Sequence, residues 1–73
     1  MIGLDTIQDN ETFVFGSVPE NSVMMCLGIR EGGIAKRIYK CPFGGSYVLE
    51  IGTRRIAIDY DLAKDINIRR STL

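Results

Sequence analysis

Apolar residues in this chain recur mostly with the period of two that marks a β-strand. From Ser46 to Ile51 the alternation is clean, with Tyr47, Leu49 and Ile51 on one face and Ser46, Val48 and Glu50 on the other. A Gly52-Thr53-Arg54 turn returns the chain through Arg55 to Asp59, where Ile56 and Ile58 take the core side. Together these runs predict a hairpin. Upstream, Glu11 to Val18 is rich in β-formers (Thr12, Phe13, Val14, Phe15, Val18), with Gly16 marking a bulge and Pro19 a stop.

The period changes after Pro19. Asn21 or Ser22 can cap a short helix over Val23-Met24-Met25-Cys26-Leu27. Gly28 then suits a left-handed end, and Ile29 the hydrophobic contact that accompanies it. Arg30-Glu31-Gly32-Gly33 reads as a turn. Ile34 to Lys40 fits helical spacing as well as a strand, and its flanking glycines and β-branched content decide for a strand. Pro42, Gly44 and Gly45 make a loop. Asp59 or Asp61 caps a turn of helix carrying Leu62 and Ala63, and Ile66 and Ile68 form a last strand. Five short strands in so short a chain predict a mainly β architecture, a small closed barrel with one or two short helices. Closure removes edge strands that such a chain cannot cover with helices.

Length agrees with that reading. The 73 residues make one domain, residues 1–73, with roughly 4,500 Å² of surface when folded. Hydrophobic content of 45% and charged content of 25% exclude a disordered, collagenous or coiled-coil chain. No apolar run approaches the ~18 residues of a membrane span, and no signal peptide is visible at Met1-Ile2-Gly3-Leu4. The expected location is the cytosol, with Cys26 and Cys41 reduced.

Nine basic and nine acidic residues cancel, but unevenly. Asp5, Asp9, Glu11, Glu20 and Glu31 face only Arg30 in residues 1–33, whereas eight of the nine basic residues follow. Interleaving of the two parts in a barrel would cancel the fields, and a segregated basic face would suit an acidic partner. Lys36-Arg37, Arg54-Arg55 and Arg69-Arg70 are read as solvated rims.

The chemistry absent from the chain is informative. There is no histidine, which removes His-based triads and the common metal sites. No phosphate-cradling glycine motif occurs. Cys26 and Cys41 are read as small buried or half-buried thiols; a disulfide or a reactive thiol is the alternative. Asp59, Asp61 and Asp65 cap and solvate the short helix, or hold a hard cation weakly. An enclosed catalytic pocket is hard to fit in a barrel whose interior is filled by side chains. No catalytic, cofactor or metal residues are assigned, and an outer groove for a partner is the easier use. Met24, Met25, Leu27, Ile29 and Phe43 are adaptable apolar side chains that could line one; otherwise they complete the core over one barrel mouth.

Leu27-Gly28-Ile29, Gly32, the Ile34-to-Tyr39 strand, Pro42-Phe43-Gly44, and Ile56-Ala57-Ile58 followed by Ala63 and Ile66-Asn67-Ile68 resemble the FeoA family. The resemblance spans about residues 4–69. It departs at Gly45-Ser46, where Asp-Pro is frequent, at Asp59, where arginine is usual, and at Leu62, where glutamate is frequent. The resemblance implies an SH3-like five-stranded barrel and a cytoplasmic, non-enzymatic accessory of ferrous iron uptake. Its implied partner is the cytoplasmic GTP-binding region of a FeoB-type permease, with weak homo-oligomerisation allowed. The expected contact residues are Met24, Met25, Leu27, Gly28, Ile29 and Phe43, which combine mobility with apolar character. The competing function is RNA binding by Lys36, Arg37, Arg54, Arg55, Arg69 and Arg70. A proline-peptide groove is weaker still, because the chain has no tryptophan.

Overall fold

The alternation at Ser46–Ile51 and Arg54–Asp59 does build a hairpin, every residue of one strand facing one of the other from Ser46↔Asp59 to Ile51↔Arg54. Arg54 opens the second strand, so the connection is the two residues Gly52-Thr53. Gly52 has φ +63°, a conformation that two-residue hairpin turns require and that favours glycine. Around this hairpin a computed structural model describes residues 2–70; Met1 and residues 71–73 of the expected domain lie outside the described part.

The described elements are β1 (Ile2–Gly3), a 3₁₀ turn (Leu4–Thr6), β2 (Glu11–Ser17), α1 (Ser22–Leu27), β3 (Ile34–Lys40), β4 (Ser46–Ile51), β5 (Arg54–Asp59), α2 (Tyr60–Ala63) and β6 (Asn67–Arg70). All strand pairs are antiparallel, in the order β1-β6-β2-β3-β4-β5. The five expected strands are present. A sixth, β1, is two residues long and was not expected; it pairs Ile2 and Gly3 with Ile68 and Asn67, too short a run to leave a periodic signal. The ladder shifts between Phe15 and Ser17 at Gly16, and again between Arg37 and Tyr39, so two bulges bend the sheet. The closed barrel expected from the sequence is not completed by hydrogen bonds: among the described residues β1 and β5 are the two ends of the sheet and share no ladder.

The core takes Phe13 and Phe15 from β2, Leu49 from β4, Ile58 from β5 and Ile66 and Ile68 from the last segment, each no more than 1% exposed. The two phenylalanine rings meet edge-on at 5.1 Å, a favourable quadrupole arrangement. Leu4, Ile7, Met24 and Ile29 belong to the same buried cluster. The folded surface is 4765 Å², close to the roughly 4,500 Å² that scaling predicts.

Two expectations need correction. In β3 the inward positions belong to Ala35 and Arg37, while Ile34 and Tyr39 are exposed. Arg37 is therefore no part of a solvated rim. Its guanidinium donates to the carbonyls of Leu4 (3.1 Å) and Ile7 (2.6 Å) and pairs with Asp9 (3.2 Å). At α2, Asp59 occupies the capping position without a side-chain capping bond; the Tyr60 amide instead donates to the Gly45 carbonyl.

Candidate interaction surface

Helix α1 is six residues long, too short to be stable alone, and both its ends are pinned. The Asn21 side chain accepts from the Met24 amide at 2.9 Å. Gly28 adopts φ +80°, and the Gly28 and Ile29 amides donate to the carbonyls of Met25 and Met24, the paired bonds of a Schellman end. Ile29 is then drawn into the core at 2% exposure.

This anchoring divides the helix. Met24 faces inward, while Met25 is 80% exposed and Val23 also faces solvent. Beside Met25 lies a half-open hollow of about 530 Å³, bounded by Val18 and Pro19, by the first turn of α1, and by Ile29-Arg30-Glu31. Met24 and Ile29 contribute to its floor, and Glu20, Arg30 and Glu31 put both signs of charge on its rim.

Three of the six expected contact residues thus come together: Met24, Met25 and Ile29. Leu27 and Gly28 serve the helix end, which turns toward the β4–β5 hairpin; Arg54 donates to the Leu27 carbonyl at 3.2 Å. Phe43 is 89% exposed in its loop and does not line the hollow. Val18, Pro19, Arg30 and Glu31 were missed by sequence reasoning. Their signal is adjacency: the segments entering and leaving a very short helix must run beside it.

A second hollow, of about 320 Å³, lies between the 3₁₀ turn and α2, lined by residues that include Asp5, Lys40, Tyr47, Tyr60 and Lys64. The tyrosine rings tilt together at 4.9 Å, with the Lys40 ammonium 5.3 Å from one centroid and 5.9 Å from the other. Tyr60 donates to the Cys41 carbonyl at 2.9 Å. Burial, with the Asp5 carboxylate adding to it, pushes the Tyr47 phenol above its ordinary value.

Both cysteines are free. Cys41 is half-buried as expected, whereas Cys26 is exposed on the outer side of α1. Among the described residues no three Cys, Asp or Glu side chains gather where they could hold a metal ion, and no helix is long and apolar enough to cross a membrane. The acidic and basic parts of the chain interleave, β2 lying between β6 and β3. Asp9 pairs with Arg37 and Glu11 with Arg70 (3.1 Å) across that boundary. Of the cations named for RNA, Arg37 is buried, Arg54 and Arg70 bind backbone carbonyls, and Arg55 pairs with Glu50.

No curated protein matches this sequence. Among solved structures, zinc-bound ScaR superposes with a TM-score of 0.86 at 16% identity, covering 97% of this chain and 37% of the other. Iron(II) transport protein A from Clostridium thermocellum gives 0.82 at 16% identity, covering 94% and 45%. This chain therefore spans less than half the length of those two. An iron uptake regulatory protein (FeoA) gives 0.83 at 17% identity, with 96% of both chains covered. At such identities the likeness establishes the fold, an SH3-like one. The profile of the FeoA domain matches residues 6–70, nearly the whole sequence, and the chain belongs to the FeoA family.

Proposed function

We propose that this protein is a small, non-catalytic cytoplasmic accessory of ferrous iron uptake that works by binding the cytoplasmic part of a FeoB-type permease through the face of α1. Family membership over residues 6–70 supports the iron-uptake setting, and two of the structures sharing its fold carry iron transport or uptake in their names. The observation that carries the contact surface is Met25. It projects almost fully into solvent at the rim of an apolar hollow floored by Met24 and Ile29. An unbranched, polarizable side chain repacks readily against a partner, and a central apolar anchor ringed by charges is the usual anatomy of a protein contact. Four of the six cations named for RNA, Arg37, Arg54, Arg55 and Arg70, hold intramolecular partners, which favours the permease reading over RNA binding.

The test is binding to the purified cytoplasmic region of the permease. Met25→Asp puts a charge on an exposed position, so the variant should melt like the parent and bind at least about tenfold more weakly. Lys36→Ala, in β3 and outside the hollow, should bind like the parent. Equal binding by folded Met25→Asp overturns the surface; no binding by the parent overturns the partner.

A further inference from the structure

Strand β5 is the end of the sheet, paired with β4 along its whole length and with no strand on its other side among the described residues. The two-residue turn makes Ile51↔Arg54 the hydrogen-bonded pair that closes the hairpin. Counting outward, Arg54, Ile56 and Ile58 direct their amides and carbonyls toward β4. Arg55, Ala57 and Asp59 direct theirs to the open side. An unpaired edge of this kind is a template for another strand unless it is blunted by a bulge, a proline or a cover. β5 has no bulge and no proline, and Arg55, Ala57 and Asp59 are all exposed. Nor does α2 cover the edge. After Asp59 the chain turns back over β4, with the Tyr60 amide on the Gly45 carbonyl and the Tyr60 hydroxyl on the Cys41 carbonyl.

We propose that the occupant of this edge is a second copy of the same chain, its β5 running antiparallel about a two-fold axis at Ala57. A two-fold axis normal to the sheet keeps each face on its own side, so directly opposed residues have the same parity. Centred on Ala57, it opposes Ala57 to Ala57 of the partner subunit and Arg55 to Asp59 of the partner subunit, twice. Three features of the strand agree with this register. The opposed residues are the ones whose backbone groups point away from β4, giving about four new hydrogen bonds, since the Asp59 carbonyl begins α2. The central side chain is a single methyl group, so the backbones can close. Each arginine meets a carboxylate, extending the Glu50–Arg55 pair (3.4 Å) into a Glu-Arg-Asp row, while Asp59 has no ion-pair partner within its own chain among the described residues. On the inner face, Ile56 of each chain meets Ile58 of the other and continues the apolar layer.

Sedimentation equilibrium should show the parent associating reversibly to twice its mass with a dissociation constant between about 10 μM and 1 mM, as suits a short strand interface. Arg55→Asp opposes two carboxylates at each end of the join, and Asp59→Arg opposes two guanidinium groups. Each variant alone should raise the dissociation constant at least about tenfold. Mixed in equal amounts, the two variants are complementary at both ends and should form a mixed dimer as tight as the parent's. Both substitutions are exposed, and circular dichroism confirms the folded state of each. A parent that stays monomeric at 1 mM, variants that dimerise undiminished, or a mixture that remains monomeric each overturn the proposal. Monomeric parent protein that binds a strand of another protein at β5 overturns it in favour of that partner.

Discussion

Arg37 and Asp9 form an ion pair of 3.2 Å between one buried and one exposed side chain. The same guanidinium also binds the carbonyls of Leu4 and Ile7, so its main work is to tie the segment after β1 to β3 rather than to balance charge. Burying a cation is costly unless its hydrogen bonds are made, and here its Nε stays buried without a partner. Arg37→Ala should destabilise the protein by about 2–4 kcal/mol, because two buried carbonyls lose their donor. Asp9→Ala should cost under about 1 kcal/mol, since that carboxylate is largely solvated. Urea unfolding of the two variants decides the matter; equal losses would show that the ion pair, not the carbonyl bonds, holds the segment.

A second test concerns the end of α1. Gly28 combines φ +80° with a close approach of Arg54, whose Nη2 occupies the space a Cβ would need. Gly28→Ala should therefore cost about 1–2 kcal/mol from the left-handed conformation, plus the displacement of Arg54 from the Leu27 carbonyl. Removing Arg54 first separates the two: in an Arg54→Ala background, Gly28→Ala should cost less than in the parent, by a measurable coupling. Additive losses would mean that the conformation alone requires glycine.

These two positions show what the sequence makes legible. Gly28 is readable because its signal is local, a capping residue, a short apolar run, then glycine and isoleucine, and the helix end forms as expected. The β4–β5 hairpin is readable for the same reason, alternation on both sides of a glycine turn. Arg37 is not, because its role depends on carbonyls 30 and 33 residues away, and an arginine beside a lysine reads as surface. The candidate contact surface falls between. Met24, Met25 and Ile29 meet at the hollow, yet only the fold could show that Phe43 lies outside it and that Val18, Pro19, Arg30 and Glu31 complete it. β1 was invisible, since two residues carry no period.

The other end of α1 supplies a third prediction. The Asn21 side chain satisfies the Met24 amide, one of the donors a helix N-terminus leaves unpaired. Asn21→Ala should cost about 1 kcal/mol, and Asn21→Asp or Asn21→Ser should retain most of that stability. Because α1 carries Met25, the alanine variant should also weaken permease binding while Asn21→Ser does not. Unchanged stability of Asn21→Ala would show that the cap contributes nothing.

Tyr47 gives the fold a dependence on alkaline pH. Burial is the first cause that holds its phenol above the ordinary value of about 10, the Asp5 carboxylate adds to it, and Arg37 opposes both. Well below pH 10 the phenol is protonated in folded and unfolded chains alike, so it contributes no slope there. Above pH 10 the unfolded chain releases its proton first. The unfolded state then binds fewer protons than the folded one, and stability falls as pH rises through the folded value. Tyr47→Phe removes the proton and should flatten this part of the profile, so the variant loses less stability than the parent between about pH 8 and pH 11. The Arg37 cation lies 5.4 Å from the Tyr47 ring centroid, an attraction the phenylalanine retains, so the comparison isolates the hydroxyl. Parallel profiles for parent and variant, measured as urea midpoints across that range, would show that the phenol is as free to ionise in the folded protein as in the unfolded chain.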